Sequence, residues 1–115
     1  METLSLFRHA DDFESFSAGQ VIFKVAERGD SMYVVKEGQV DVMVGNKVVE
    51  TAGPGAILGE MALIDAGPRS ATAIAKSDCK LVPVDKKRFT FLVQQHPYFS
   101  LHVMQVMAAR LRRWN

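Results

Sequence analysis

The sequence predicts a mainly β domain, a barrel or sandwich of short strands, with helices at its C-terminal end. Three observations predict it. From Phe13 to Asp85, short strand-like runs are separated by glycine-bearing turns. After Asp85 the apolar period changes from two to about 3.6. A chain of 115 residues with one cysteine can bury about 60 to 68% of its unfolded surface as a single domain, and one cysteine supplies no disulfide framework.

The strands are expected at Gln20 to Val25, Ser31 to Lys36, Val40 to Val44, Lys47 to Thr51, Ser70 to Lys76 and Cys79 to Val84. Val40, Val42 and Val44 alternate with Asp41 and Met43, placing three β-branched side chains on one sheet face. Gly45-Asn46 suits a two-residue type I′ or II′ hairpin returning through residues 47–51. Pro83 donates no ladder hydrogen bond, so the last strand is expected at an edge or to end there.

Asp85 is the expected N-cap of a helix over residues 86–95, with Phe89, Leu92 and Val93 on one face and His96-Pro97 breaking the run. A second helix is expected over residues 98–113. There Leu101, Met104, Ala108 and Leu111 recur at spacings of three, four and three, and Val103, Val106 and Met107 widen the apolar surface. One face can cover the β domain while the other meets a partner.

The net charge of +1 is an average of opposites. Residues 1–85 carry 8 basic and 13 acidic residues, whereas residues 86–115 carry 6 basic and none acidic. The basic residues form two short clusters, Lys86 to Arg88 and Arg110 to Arg113, without interleaved aromatics; this reads as solvated helix ends rather than a nucleic-acid footprint. No apolar run reaches the roughly 20 residues of a membrane span. Met1 to Glu14 holds four acids and no apolar signal core, so no membrane association and a reducing cytoplasm are expected.

Gly53 to Thr72 is the informative segment. Glu60-Met61-Ala62-Leu63 offers a helical turn of good formers directly after Gly59. Its first backbone N–H groups are unpaired and favour an anion, which Gly59 allows to approach. Ten residues on, Arg69 supplies a planar cationic fork, Ser70 adds a hydroxyl, and Gly67-Pro68 sets the turn that delivers them. An acid beside a phosphate site is unfavourable unless it serves another group, and Glu60 is suited to accept from a sugar hydroxyl. The implied ligand is a phosphate attached to a sugar.

Ala18-Gly19-Gln20-Val21-Ile22-Phe23, Gly29-Asp30 with Met32-Tyr33-Val34-Val35 and Gly38, and above all Gly59-Glu60-Met61-Ala62-Leu63 with Pro68-Arg69-Ser70-Ala71-Thr72 resemble the cyclic-nucleotide-binding domain. That domain occurs in catabolite-activator-type regulators, kinase regulatory subunits and cyclic-nucleotide-gated channels. The resemblance runs from about Phe7 to Arg113. It implies an eight-stranded antiparallel jelly roll over about residues 13–85, an N-terminal helix, a short phosphate-binding helix and two C-terminal helices, all in one domain over residues 1–115.

The resemblance also implies roles. Glu60 would accept the ribose 2′-hydroxyl and Arg69 would pair the cyclic phosphate. Backbone N–H groups near Met61, Ala62 and Ser70 or Ala71 would complete the cradle beside Gly59, and Val42 and Val49 would line the sugar and base. Met107, Arg110, Leu111 or Trp114 would cap the base. Two positions depart from the family pattern: Ala26 stands where glycine is frequent, and Leu58 replaces a common phenylalanine.

Other classes fit poorly. A metal-dependent jelly-roll enzyme needs histidines in the barrel, and residues 10–95 contain none. No G-x-S-x-G nucleophile motif is present. Gly53 to Gly59 is not a dinucleotide fingerprint. A DNA-binding regulator needs a helix-turn-helix beyond the last helix, whereas this sequence ends at Asn115, so nucleic acid is not an expected partner. The expectation is a non-enzymatic receptor for cAMP in preference to cGMP, with no other cofactor, signalling through its terminal helices to a protein partner or a second copy. The alternative is a ligand-free roll that docks a partner through its basic, apolar last helix.

Overall fold

The computed structural model describes residues 3–114 and is an eight-stranded antiparallel jelly roll with helices at both ends. Chain order is α1 (Thr3–Phe7), β1 (Glu14–Phe16), β2 (Val21–Phe23), β3 (Ser31–Glu37), β4 (Val40–Val44), β5 (Lys47–Ala52), β6 (Ile57–Leu58), α2 (Glu60–Asp65), β7 (Thr72–Ala75), β8 (Cys79–Asp85), α3 (Lys86–Gln95) and α4 (Tyr98–Trp114). One sheet has the order β1-β8-β3-β6 and the other β2-β7-β4-β5. Strands β1 and β6, which the sequence pattern leaves unlocated, have three and two residues and flank the first sheet.

Alternation on the strands sorts side chains into two apolar clusters. Val35, Val40, Val42, Ala52, Leu58, Ala73 and Leu81 pack inside the roll. Met32, Val34, Val82 and Val84 point from the other face of β3 and β8 to meet Phe7, Leu63, Phe99 and Val103 of the helices. Phe99 anchors α4 there, with ring centroids 6.3 Å from Phe7 and 5.9 Å from Phe89. Burying one such ring stabilises the docked helix by about 1.5–3 kcal/mol.

Pro83 does not place its strand at an edge. Strand β8 runs on to Asp85 between β1 and β3. The proline is accommodated because β1 pairs only with residues 79–81. Beyond that span the Pro83 carbonyl is free to accept from Arg88 Nη1 at 3.3 Å, so its missing N–H costs no inter-strand bond. Asp85 then caps α3, its Oδ1 accepting from the Arg88 backbone N–H at 2.8 Å.

The β4–β5 hairpin turns through Gly45 and Asn46, with Val44 opposite Lys47 and Gly45 at φ 62°. Its register then slips: Met43 pairs with Val48, but Val42 pairs with Glu50. Val49 is therefore the extra residue of a β-bulge. Residues directly opposite share a sheet face, so the bulge turns Glu50 toward the face that Val42 presents to the interior.

On α4 the inward stripe is Phe99, Val103, Val106, Met107 and Arg110. The stripe at Leu101, Met104 and Leu111 faces outward, 48–56% exposed. No helix among the described residues is long and apolar enough to cross a membrane.

Candidate functional site

The site forms where β6 gives way to α2. Gly59, the one residue between them, lies at φ 73°, ψ 23°, a left-handed conformation that glycine adopts without strain. A Cβ there would strike Arg69 Nη1, so the backbone makes room for the arginine. The Gly59 carbonyl accepts from that nitrogen at 3.2 Å.

Arg69 is held from behind by its own backbone. Its N–H donates to the Glu27 carbonyl at 2.7 Å, its carbonyl accepts from the Ala26 N–H at 2.8 Å, and Pro68 bridges Arg28. The side chain is only 7% exposed, and its guanidinium lies 4.3 Å from the Phe23 ring centroid and 6.0 Å from that of Tyr33. Burial lowers its pKa, opposed by Tyr33, Asp30, Glu27 and Glu60. Among the described residues Arg69 forms no ion pair. It is a nearly buried cation supported by two aromatic rings and a carbonyl.

Glu60 opens α2 and is 3% exposed. Its Oε1 accepts from Nη1 of Arg110, which reaches in from α4 and is itself 3% exposed. Two further nitrogens of Arg110 engage Glu50: Nε donates to Oε1 at 3.1 Å and Nη2 to Oε2 at 2.8 Å. Arg113 Nη2 adds a contact to Glu50 Oε1 at 2.8 Å. Burial raises the Glu50 pKa, but Arg110 and Arg113 outweigh it and hold the carboxyl below its usual value. Burial likewise works against the Arg110 cation, and the two carboxylates reverse that and raise its pKa.

Seven of the nine residues that the sequence singled out line one cavity: Gly59, Glu60, Met61, Ala62, Arg69, Ser70 and Ala71. Val42 and Val49 do not line it; Val42 is buried in the inner cluster and Val49 packs against that cluster. Of the base-cap candidates Arg110 is in the wall, Met107 packs in the helix-facing cluster and Leu111 is exposed. The Trp114 side chain and Asn115 lie outside the described residues.

Phe23 and Leu58 complete the lining, and Glu50 stands behind Arg110. Phe23 was visible in the sequence as a residue of an expected strand, whereas Leu58 stood out only as a departure from the family pattern. Glu50 gave no signal, because alternation counted from the hairpin turn puts Val49 in phase with Val42. The cavity's free volume is about 20 Å³, room for about one water. Pockets that hold a drug-sized ligand run to about 300–1,000 Å³, and Arg110 forms the α4 side of this smaller cavity.

Comparison with known proteins agrees with the geometry. A cAMP-dependent protein kinase regulatory subunit from Eremothecium gossypii is 41% identical over 73 residues, 64% of this chain but 16% of that protein. The chain thus spans about a sixth of that relative's length. The Thermus thermophilus catabolite activator protein superposes with TM-score 0.80 at 28% identity, over 96% of this chain and 55% of that one. A structure from a cyclic-GMP-dependent signalling pathway regulating bacterial phytopathogenesis superposes with TM-score 0.79 at 29% identity, over 96% and 91%. The sequence profile of the cyclic nucleotide-binding domain matches residues 13–96, which carry the whole roll, Gly59, Glu60 and Arg69; the chain belongs to the cyclic nucleotide-binding domain family.

Proposed function

We infer that this domain is a non-enzymatic cytoplasmic receptor for a cyclic nucleotide, cAMP in preference to cGMP, and that ligand binding rearranges its terminal helices to signal to a partner. The observation that carries the reading is Arg69: a nearly buried guanidinium with no anionic partner among the described residues, aimed into a cavity shared with Glu60 and the first turn of α2. Arg69 pairs the cyclic phosphate, the N–H groups near Met61, Ala62 and Ser70 or Ala71 complete its cradle, and Glu60 accepts the 2′-hydroxyl. Ser70, beside Arg69 in the cavity lining, offers the hydroxyl through which cGMP competes. The relatives support the class of ligand, one being named for cAMP and one for cyclic GMP.

Calorimetric titration with both nucleotides tests the reading. Arg69→Ala is expected to lose about 1.5–3 kcal/mol of binding, or about 10- to 150-fold. Absence of binding by either nucleotide at millimolar concentration rejects it.

One observation favours a second reading. The outward stripe of α4, Tyr98, Leu101, Met104 and Leu111 beside Arg112 and Arg113, suits a roll that docks a protein partner or second copy without ligand. Sedimentation with and without nucleotide separates the two, because only a receptor changes its hydrodynamic behaviour when ligand is added.

A further inference from the structure

Gly29 differs from Gly59 in what requires it. Gly59 lies at positive φ, where the backbone itself favours glycine, whereas Gly29 does not. No left-handed turn explains a glycine at position 29. Arg69 does. A Cβ on Gly29 would strike Arg69 Cζ and Nε and come within 2.7 Å of Nη2. The backbone brings the two residues together: the antiparallel bridge of Arg28 to Pro68 sets Glu27 opposite Arg69, and Gly29 is then the diagonal neighbour on the same side. The long side chain of Arg69 runs over position 29, and its guanidinium lies against bare backbone.

We propose that Gly29 is a positioning residue for Arg69: with Gly59 and Phe23 it forms a slot that fixes the guanidinium where it lines the ligand cavity. The proposal rests on the reading of Arg69 as the phosphate-binding residue. Each wall of the slot bears on the fork differently. Gly59 meets Nη1, its carbonyl accepting at 3.2 Å. Gly29 meets Cζ, Nε and Nη2, and the centroid of the Phe23 ring lies 4.3 Å from Cζ. A methyl group at position 29 would have to push the guanidinium away by about 1 Å to restore ordinary contact at about 3.5–4.0 Å. Binding groups work when they are held within about 0.5 Å of the productive geometry, and a planar fork depends on that register more than a point charge does.

The consequence separates two roles. A glycine that serves only the course of the chain would, when replaced, change stability and leave the Arg69 contribution to binding alone. Gly29→Ala should instead weaken binding through Arg69, and only while Arg69 is present.

The test is calorimetric titration with cAMP and cGMP of wild type, Gly29→Ala, Arg69→Ala, their double variant and Gly53→Ala, each protein first checked by urea unfolding. Gly53 is the matched control: it is not at positive φ, has open space around its missing Cβ and lies outside the cavity lining. Gly29→Ala is expected to bind at least about tenfold more weakly than wild type, Gly53→Ala like wild type, and the double variant like Arg69→Ala. The urea midpoints give the same coupling without ligand: alanine at position 29 should be better tolerated once Arg69 is removed. Wild-type affinity in Gly29→Ala, or strict additivity of the two substitutions in the unfolding measurements, overturns the role of Gly29 and leaves the site reading intact. If Gly29→Ala does not fold, the double variant decides: folding restored by removing Arg69 supports the contact, and failure of both overturns it. No binding by wild type at millimolar nucleotide overturns the site reading, and the role of Gly29 with it.

Discussion

Arg110 and Glu60, fifty residues apart in sequence, form a buried ion pair that joins the last helix to the first turn of α2. The cost of burying two charges is offset only while both are present. Arg110→Ala is therefore expected to destabilise the domain by about 3 kcal/mol by leaving Glu60 charged and unpaired. Glu60→Gln combined with Arg110→Met should recover a large part of that loss. Urea unfolding of Glu60→Gln, Arg110→Met and the double measures the coupling; strictly additive losses would contradict a shared buried pair.

Acid should loosen the same region. The Glu50 carboxyl titrates below its usual 4.5 in the folded protein because Arg110 and Arg113 outweigh its burial. A carboxyl with a lowered folded pKa contributes stability above its unfolded pKa and loses it as pH falls through the folded value. Thermal midpoints measured from pH 6 down to pH 3 should fall less steeply in Glu50→Gln than in wild type. Parallel curves would show that Glu50 is not a source of the acid limb.

Gly59→Ala combines a backbone penalty with a steric one. The left-handed conformation costs a non-glycine residue about 1–2 kcal/mol, and the new Cβ displaces Arg69 Nη1. Stability should drop by about that amount and cyclic-nucleotide affinity by at least about tenfold. Gly45→Ala is the control, at φ 62° with open space around its missing Cβ. It should lose stability and keep affinity; equal affinity losses in the two variants would reject the link between Gly59 and Arg69.

Ala26 is an L residue held at φ 72°, where the turn binds Arg69 through its N–H. Glycine relieves that strain of about 1–2 kcal/mol while adding about 0.5–1 kcal/mol of unfolded-state entropy. Ala26→Gly should raise stability by about 0.5–1 kcal/mol on balance, read as a higher urea midpoint at unchanged m-value. A lower midpoint would mean that the alanine methyl packs more than the backbone strains.

The roll was legible because its signals are local. The alternation of β4, the Gly45-Asn46 turn and the change of period at Asp85 each depend on a few adjacent residues, and they mark β4, its hairpin and the junction of β8 with α3. The Gly59–Ala71 lining was legible for a related reason: two short segments ten residues apart carry its residue types. The rest is long-range. Nothing near Glu50 announces a bulge, since the slip arises from pairing with β4. Hydropathy alone does not choose between the two apolar stripes of α4, and the buried stripe is the one that carries a charge, Arg110. Strand β8 tolerates Pro83 internally because β1 is short, a property of another part of the chain.

The two apolar clusters lie on opposite sides of β3 and β8. This gives the molecule the mechanics of a laminate. Peeling back α3 and α4 wets the outer surface of that shared sheet and the cavity that Arg110 walls, while the backbone ladders and the rest of the inner filling remain dry. The helical ply can therefore separate at the free energy of one partial opening rather than of global unfolding, and the roll that carries Arg69 stays intact as its cover lifts.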